Sequence, residues 1–469
     1  MPSLVKNIGL SVFTFLSRIV SGSIVYIALA RLMSLNDFGV LSFGTTLAGL
    51  LIVVAEFGFS LMAQRDIPQQ KFNFNDYVFN TFLQKIGFAV ISLTGGLIYL
   101  KLFYTELNYV VGVIFVVNAI ITSNNMYFFA VFRAKNMFKV ETWVSSIYML
   151  IMLVLIALYV VYDLDVIFIA YGLLFARCLQ LIILILIYLH KFNLNAKINT
   201  RIQKYLFRSS FSFGAHYIIG VFYFSIDNQL VAYYGGNEEL AIYQSILRVV
   251  LLLLTVSALF ESVFLPYLSS RFNEDSHYFK FLAIIINKVV ITIGLTLFMG
   301  FNLFSNEIIT ILYSEKYLEA LTIVLPLSFV LLLRIITSVY SVLLTISDHQ
   351  NIRVLIAVVS LLVNLSLNFI FIPKYGYVGA AYVSVVTHIV STFVYVLFLY
   401  KYFNSFLINT KMVLFGLGTV SLIIVKFIIS QDSNILHSIS IMIIWLILLL
   451  FLYSRKQIME IVELVKGKY

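Results

Sequence analysis

The 469-residue chain is poor in charged residues and holds a single cysteine, Cys178. Charged side chains make up 11% of the chain, against about 25% in ordinary soluble domains. One cysteine excludes a disulfide scaffold, and an apolar share of 62% excludes a disordered chain. A soluble protein needs a mostly polar surface, which this composition cannot supply. The sequence therefore predicts an all-α polytopic integral membrane protein.

The sequence also lacks the motifs of nucleotide, metal and acyl-transfer chemistry. It contains no Walker loop, no cysteine–histidine cluster with metal spacing and no G-x-S-x-G elbow. Asp163 and Asp165 form a D-x-D pair, the spacing that holds a metal-bound sugar phosphate, but they lie in a short connector where a helix N-cap is the simpler interpretation. We expect a transporter rather than an enzyme, without a metal or organic cofactor; H⁺ or Na⁺ stays open as a coupling ion.

Fourteen apolar segments are long enough to cross a bilayer, whose core of about 30 Å needs about 20 residues per helix. They lie near 7–30, 38–63, 79–100, 109–132, 142–162, 166–189, 209–234, 240–267, 281–304, 320–346, 354–372, 377–400, 412–430 and 435–453. With the N terminus inside, most of the 31 lysines and arginines are cytoplasmic, as the positive-inside rule requires. We therefore expect both termini in the cytoplasm. The net charge of +10 then reflects topology and anionic lipid rather than a nucleic-acid partner.

A long polar connection divides the predicted spans after the sixth. The division predicts an N-terminal six-helix lobe over 1–190, a cytoplasmic linker over 191–208, a second six-helix lobe over 209–403 and two additional helices over 404–469. Ala30–Leu41 matches Ala232–Tyr243, with Asp37 opposite Glu239. This match favours a duplicated lobe, and transporters built in this way hold their substrate between the two copies.

Ionisable residues inside the apolar segments are the strongest functional signal. A charge at the centre of a membrane helix costs about 2.5–3.5 kcal/mol and normally faces the protein interior or a water-filled path. Three such arginines are interpreted as a cationic substrate site: Arg18, Arg248 and Arg334. Arginine stays protonated and its planar fork matches phosphate, so these residues predict a phosphate-bearing ligand. The residues predicted to balance these charges or to couple transport to an ion are Glu56, Asp227 and His216.

Five further residues are predicted to line the same cavity: Lys85, Arg177, Lys288, Tyr223 and Asn228. Two alternatives stay open for the polar residues of the spans. Lys85 and Lys288 lie near enough to a segment end for their ammonium groups to snorkel to the interface. The other polar side chains can instead form hydrogen bonds between helices that stabilise the bundle, and Arg177 can pair within its own lobe for structural reasons.

Several soft motifs follow one another along the chain. They are Ala30-Arg31 with Asp37-Phe38-Gly39, Glu56-Phe57-Gly58 with Arg65-Asp66-Ile67, Asp227 with Glu239 and Tyr243, and Ile372-Pro373-Lys374-Tyr375-Gly376 before Gly379-Ala380-Ala381. In this set the chain resembles the polysaccharide-transport branch of the MOP exporter superfamily, particularly Wzx-type O-antigen repeat-unit flippases. The resemblance implies a MATE-like fold, in which two lobes form a V-shaped cavity that opens alternately to each membrane face.

The resemblance also implies a substrate and its setting. The substrate is an undecaprenyl-diphosphate-linked oligosaccharide repeat unit of O-antigen or capsule, moved across the bacterial cytoplasmic (inner) membrane, with the polysaccharide polymerase and chain-length machinery as partners. Arg18, Arg248 and Arg334 would contact the diphosphate, and Tyr223 and Asn228 the sugar hydroxyls.

Three alternatives to an O-antigen flippase stay open. Members often have twelve spans, whereas fourteen are shared with the lipid II flippases, so lipid II is the alternative substrate. A multidrug exporter or cation antiporter of the same superfamily would favour an acidic cavity, and a membrane glycosyltransferase would need a sizeable external loop. Both therefore fit this sequence less well.

Overall fold

The computed structural model describes residues 22–192, 195–271, 276–347, 349–403, 415–423 and 435–450. Every regular element in these ranges is a helix, which confirms the predicted all-α class. The helices α1 to α15 are, in order, Gly22–Leu32, Leu35–Glu56, Phe59–Asp66, Phe74–Phe103, Glu106–Ala134, Phe138–Tyr162, Val166–Lys191, Thr200–Tyr234, Gly236–Arg271, Ser276–Leu303, Ser305–Tyr313, Leu321–Ile346, Gln350–Phe403, 415–423 and Ile435–Leu450. A short 3-10 helix, Glu315–Ala320, leads into α12.

Each of the fourteen predicted segments coincides at least in part with one of these helices. Nine helices in the described ranges are long and apolar enough to cross a membrane. Large apolar side chains cover their outer faces; Trp143 and Val161, for example, are each 73% exposed. Such a surface is suited to lipid rather than to water. The chain is a multi-pass integral membrane protein, and the number of fourteen spans stays a prediction.

The segment predicted as one span over 38–63 is broken into α2 and α3. Phe57 and Gly58 have positive φ angles of 41° and 81°, which end α2 and restart the chain as α3. Glycine is required at the second position, because a Cβ there would lie 2.6 Å from the Cβ of Phe213 on α8. The prediction of one continuous span over 38–63 was therefore wrong, because hydropathy carries no information about a change in backbone direction.

The D-x-D pair caps a helix. The backbone N–H of Phe168 donates a hydrogen bond of 3.0 Å to Oδ1 of Asp165, which is the N-cap of α7. Asp163 ends α6 in a left-handed conformation with φ 48°. The N-cap interpretation is thus confirmed for Asp165, whose carboxylate accepts from one of the free N–H groups at the start of α7, whereas Asp163 is the C-cap of α6.

A sharp bend at Gly376 divides α13 where the sequence predicts two separate spans. Gly376 has φ 56° and ψ −141°, a conformation that favours glycine. The backbone N–H of Tyr377 donates a hydrogen bond of 3.0 Å to Oε2 of Glu239, at the start of α9. A Cβ on Gly376 would clash with that same carboxylate. Two of the soft motifs, distant in sequence, thus meet at one bend.

The matched segments of the two halves have similar local structure. Ala30–Leu41 contains the end of α1 and the start of α2, and Ala232–Tyr243 contains the end of α8 and the start of α9. Asp37 and Glu239 both lie in the first turn of the second helix. Acidic side chains are favourable there because the N-terminus of a helix carries partial positive charge. The duplication of a whole lobe stays a prediction.

The described chain forms two compact units. The first comprises the residues up to Gln244 together with Leu365–Tyr377, and its core is rich in aromatic side chains. In that core Phe57 stacks on Phe88, with ring centroids 4.2 Å apart. Aromatic pairs of this kind fill the space left where α2 ends and α3 begins.

The second unit comprises Ser245–Asn364 and the residues from Val378 onward. Its core contains the buried indole of Trp445, which donates a hydrogen bond of 2.9 Å to Oγ1 of Thr419 and so joins α15 to α14. Ser438 of α15 donates a hydrogen bond of 3.0 Å to the carbonyl of Leu303 at the end of α10. The last two described helices are therefore integral to this unit.

Candidate functional site

The first unit contains a fully buried ion pair between Glu56 and Lys85. Glu56 ends α2 and Lys85 lies on α4; their side chains are each 2% exposed, and Nζ lies 2.6 Å from Oε2. The ammonium also donates a hydrogen bond of 2.7 Å to Oγ of Ser123 on α5. Lys85 therefore does not snorkel to the membrane interface, and that alternative was wrong for this residue, because its charge is balanced inside the bundle.

The position of Glu56 follows from the break between α2 and α3. Its Oε1 accepts a hydrogen bond of 2.5 Å from the backbone N–H of Ser60, in the first turn of α3. One carboxylate oxygen thus caps a helix and the other pairs with Lys85. Of the two roles predicted for Glu56, these contacts correspond to charge balance, with a lysine rather than an arginine as the partner.

Asp227 belongs to a second buried network, between α8 and α9. The hydroxyl of Tyr243 donates a hydrogen bond of 2.7 Å to Oδ2 of Asp227. One residue further along α8, Asn228 accepts a hydrogen bond of 2.7 Å from the Gln244 side chain. Asp227 and Asn228 thus form hydrogen bonds between helices within the first unit, the alternative left open for polar residues of the spans. The predicted side chains of His216 and Tyr223, on the same helix, lie outside the described residues.

A cavity of about 340 Å³ lies within the first unit, among α1, α5, α6 and α7. Its polar wall contains Thr122, Asn125, Arg133, Tyr148, Arg177 and Gln180. Its apolar wall contains Met126, Phe129, Met149 and Met152. A mainly apolar pocket with a few convergent polar groups is the usual form of a small-ligand site. We call this space the arginine pocket.

Arg177 is held in place at the arginine pocket by uncharged groups. Its guanidinium lies 4.0 Å from the centroid of the Tyr148 ring, and its NH1 donates a hydrogen bond of 2.9 Å to Gln180. Among the described residues no carboxylate lies within ion-pair distance of Arg177, whereas Arg133 lies 3.4 Å from Glu141. Within the described part of the chain the Arg177 charge is thus oriented but not paired with a carboxylate, as an anion-binding group requires.

Asn125 is a buried amide in the wall of the arginine pocket. Its Nδ2 donates to the carbonyl of Arg177 and to Oε1 of Gln180, both at 3.1 Å. Its Oδ1 has no hydrogen-bond partner in the described part of the chain. A buried amide oxygen without a partner is costly unless a donor reaches it. The arginine pocket therefore places an anion-binding cation beside a buried amide, whose oxygen is closed to solvent in this conformation.

Asn125 is not among the predicted site residues, because most of those were identified from the cost of a charge inside a span and an asparagine carries no charge. A signal was present: Asn118, Thr122 and Asn125 follow at helical spacing and share one face of α5. In the structure Thr122 donates a hydrogen bond of 3.1 Å to Oδ1 of Asn118. A polar stripe on an otherwise apolar helix could have identified this wall of the pocket.

The other predicted cations lie in the second unit or outside the described ranges. Arg248 on α9 and Arg334 on α12 are partly buried. Lys288 on α10 is buried, with 3% of its surface exposed, so snorkelling was wrong for this residue too. Arg334 lies within electrostatic range of His388 on α13. Arg18, the third arginine of the predicted substrate site, lies outside the described residues.

The family of the chain follows from its sequence. Residues 4–272 match the family described as polysaccharide biosynthesis protein. The chain belongs to this family. An uncharacterised membrane protein of Methanocaldococcus jannaschii is 28% identical over 251 residues, which are 51% of this chain and 49% of that protein. The match thus spans about half the length of this curated relative.

Solved structures show the same fold. The lipid II flippase MurJ in an inward closed conformation is similar over 93% of this chain and 96% of its own, with a TM-score of 0.74 and 16% identity. An inward-facing multidrug resistance MATE family transporter of the MOP superfamily is similar over 82% of this chain and 94% of its own, with a TM-score of 0.66 and 14% identity. At these identities the likeness concerns the fold, and it confirms the predicted MATE-like class. The family match confirms the polysaccharide branch expected from the motifs, and the fold agrees with the resemblance to the MOP exporters.

Proposed function

We propose that this protein is a flippase that moves a lipid-linked glycan across the cytoplasmic membrane by alternating access. Its proposed substrate is an undecaprenyl-diphosphate-linked oligosaccharide repeat unit of O-antigen or capsule. The observation that carries the proposal is the arginine pocket, where the guanidinium of Arg177 is held by Tyr148 and Gln180 with no carboxylate of the described residues within ion-pair distance. Membership of the polysaccharide biosynthesis family supports the same class of substrate.

The chemistry of the head group explains why such a pocket is needed. A diphosphate-sugar cannot cross hydrocarbon unless its charges and hydroxyls exchange water for other polar partners. Arg177 can donate to a phosphate oxygen. The methionine and phenylalanine side chains of the apolar wall suit the less polar parts of the ligand. We propose Arg18, Arg248 and Arg334 as further contacts of the diphosphate along its path.

Lipid II is the second candidate substrate, and one observation favours it. The fold matches 96% of the lipid II flippase chain with a TM-score of 0.74, against 94% of the MATE transporter chain with a TM-score of 0.66. Lipid II presents the same chemistry, since it joins a diphosphate and sugars to a polyprenyl chain. A cationic drug fits less well, because Arg177 would repel it at short range. We therefore propose a transporter of anionic head groups that acts without a catalytic step.

Replacement of Arg177 by alanine tests the proposal. A hydrogen bond to a charged group contributes about 1.5–3 kcal/mol, so we expect Arg177→Ala to weaken substrate binding by about 10- to 150-fold. Surface polysaccharide should fall and lipid-linked repeat units should accumulate in the cytoplasmic leaflet, while Arg177→Lys should retain part of the activity. Arg201→Ala, at an exposed position on α8, is the matched control and should export normally.

The outcome separates the candidate substrates. Complementation of a strain depleted of its lipid II flippase, with repeat-unit export unaffected by loss of this gene, would favour lipid II. Normal export of both glycans by correctly inserted Arg177→Ala protein would refute the assignment of the arginine pocket.

A further inference from the structure

We propose that the end of α2 forms a monovalent-cation site that the protein fills with its own Lys85 ammonium. Four oxygen atoms surround Nζ of Lys85: Oε2 of Glu56 at 2.6 Å, Oγ of Ser123 at 2.7 Å, the Ser123 carbonyl at 3.4 Å and the Ala55 carbonyl at 3.5 Å. Carboxylate, hydroxyl and carbonyl oxygens are the donors that hard metal cations prefer. The ammonium thus occupies the place of an ion in an oxygen cage.

The helix break creates the cage. The last carbonyls of α2 have no intrahelical partners because the chain turns at Phe57, and the C-terminus of a helix carries partial negative charge. Ala55 and Glu56 are both at this end, so a carbonyl dipole and a carboxylate are directed to one point. A positive charge is favoured there whatever group carries it.

Aromatic rings close the remaining sides of the cage. The Lys85 ammonium lies 5.5 Å from the ring centroid of Tyr127 and 5.9 Å from that of Phe59. Ring faces attract cations, most strongly where water is excluded. Both rings are fully buried, as is the ion pair itself. Protein groups therefore enclose the cation on these sides as well.

A tethered ammonium cannot leave the site. Glu56 is consequently not free to exchange H⁺ or Na⁺ in the wild-type protein, and external Na⁺ does not act on the first unit through this carboxylate. The inference goes beyond the proposed function, because it holds whatever substrate the protein moves. It also has a direct consequence: a protein that loses the ammonium but keeps the oxygen atoms should take up a cation from solution.

The test compares wild type with Lys85→Ala in purified full-length protein. Thermal unfolding is measured in sodium chloride, methylammonium chloride or choline chloride at equal ionic strength, choline being too large for the cage. Lys85→Ala should unfold about 1–3 °C higher in Na⁺ or methylammonium than in choline when the small cation is at ten times its dissociation constant. Wild type and the exposed control Lys101→Ala should show no difference between the salts.

A double variant identifies the carboxylate as the ligand. Glu56→Gln/Lys85→Ala retains the cavity without its negative charge, so its unfolding temperature should be the same in all three salts. If Lys85→Ala yields no folded protein in choline, the protein is also purified with Na⁺ or methylammonium present throughout. Folded protein is then expected with the small cations and not with choline. Equal stability or equal yield of Lys85→Ala in every salt, or the same Na⁺ response in the double variant, would overturn the inference.

Discussion

Removal of one partner of the Glu56–Lys85 pair should destabilise the protein more than removal of both. Lys85→Met retains most of the side-chain volume but leaves the Glu56 carboxylate buried, where Ser60 N–H and the Ser123 hydroxyl are its remaining hydrogen-bond donors among the described residues. Glu56→Gln leaves the ammonium buried beside a neutral amide. In both single variants an uncompensated charge remains in a site that the side chains seal from solvent.

The magnitude follows from the burial of the pair. Loss of one partner from a buried ion pair costs about 3–5 kcal/mol, whereas replacement of both by neutral groups of similar volume is often close to neutral. Glu56→Gln/Lys85→Met keeps an amide that can still accept from Ser60 N–H. We therefore expect the double variant to lose at least about 3 kcal/mol less than the sum of the two single losses.

A double-mutant cycle on unfolding, measured by denaturant titration of the purified protein, provides this comparison. The matched control is the pair formed by Arg133 and Glu141, which lie 3.4 Å apart with the arginine 32% exposed. Partly exposed pairs contribute up to about 1 kcal/mol, so the control cycle should show a much smaller coupling. Additive losses at Glu56 and Lys85, or a Lys85→Met protein as stable as wild type, would show that the two buried charges do not stabilise each other.

Two further predictions concern the backbone. Gly58→Ala should lower stability by about 1–3 kcal/mol, measured by thermal unfolding, because φ at this position is 81° and the added Cβ meets Phe213; an unchanged melting temperature would contradict the close packing of α3 on α8. Asp165→Ala should cost about 1 kcal/mol through loss of the α7 N-cap while glycan export continues. Abolished export with intact folding would instead revive a catalytic role for the D-x-D pair.

The fold class and the positions of the helices could be predicted from the sequence because long apolar runs have few alternatives to membrane helices. The break at Phe57 and Gly58 could not, since the residues around it remain apolar and only the backbone angles change. The glycine itself was visible in the motif Glu56-Phe57-Gly58. Glycine is needed at position 58 because Phe213 packs closely against it, and the sequence does not show this contact between distant residues.

The candidate site was predictable in its residue types but not in its pairings. Glu56, Lys85 and Arg177 were each identified from the cost of charge in a span, yet sequence spacing does not show which charges meet across helices. Lys85 therefore appeared free to snorkel, although it ends beside Glu56. Asn125 was not predicted because an uncharged amide does not carry the cost of a charge in a span, and its burial becomes visible only in the structure.

Lys85 and Arg177, two cations of the first unit, differ in what surrounds them, and that difference determines their roles. Lys85 is enclosed by a carboxylate and three other oxygen atoms, so no net attraction remains for an anionic ligand. Arg177 is held by a ring face and an amide, which orient the guanidinium without cancelling its charge. The count of intramembrane cations alone therefore overstates the attraction for a diphosphate. A cation attracts an anionic ligand when its own partners are neutral. In the described part of the first unit, Arg177 of the arginine pocket is such a cation.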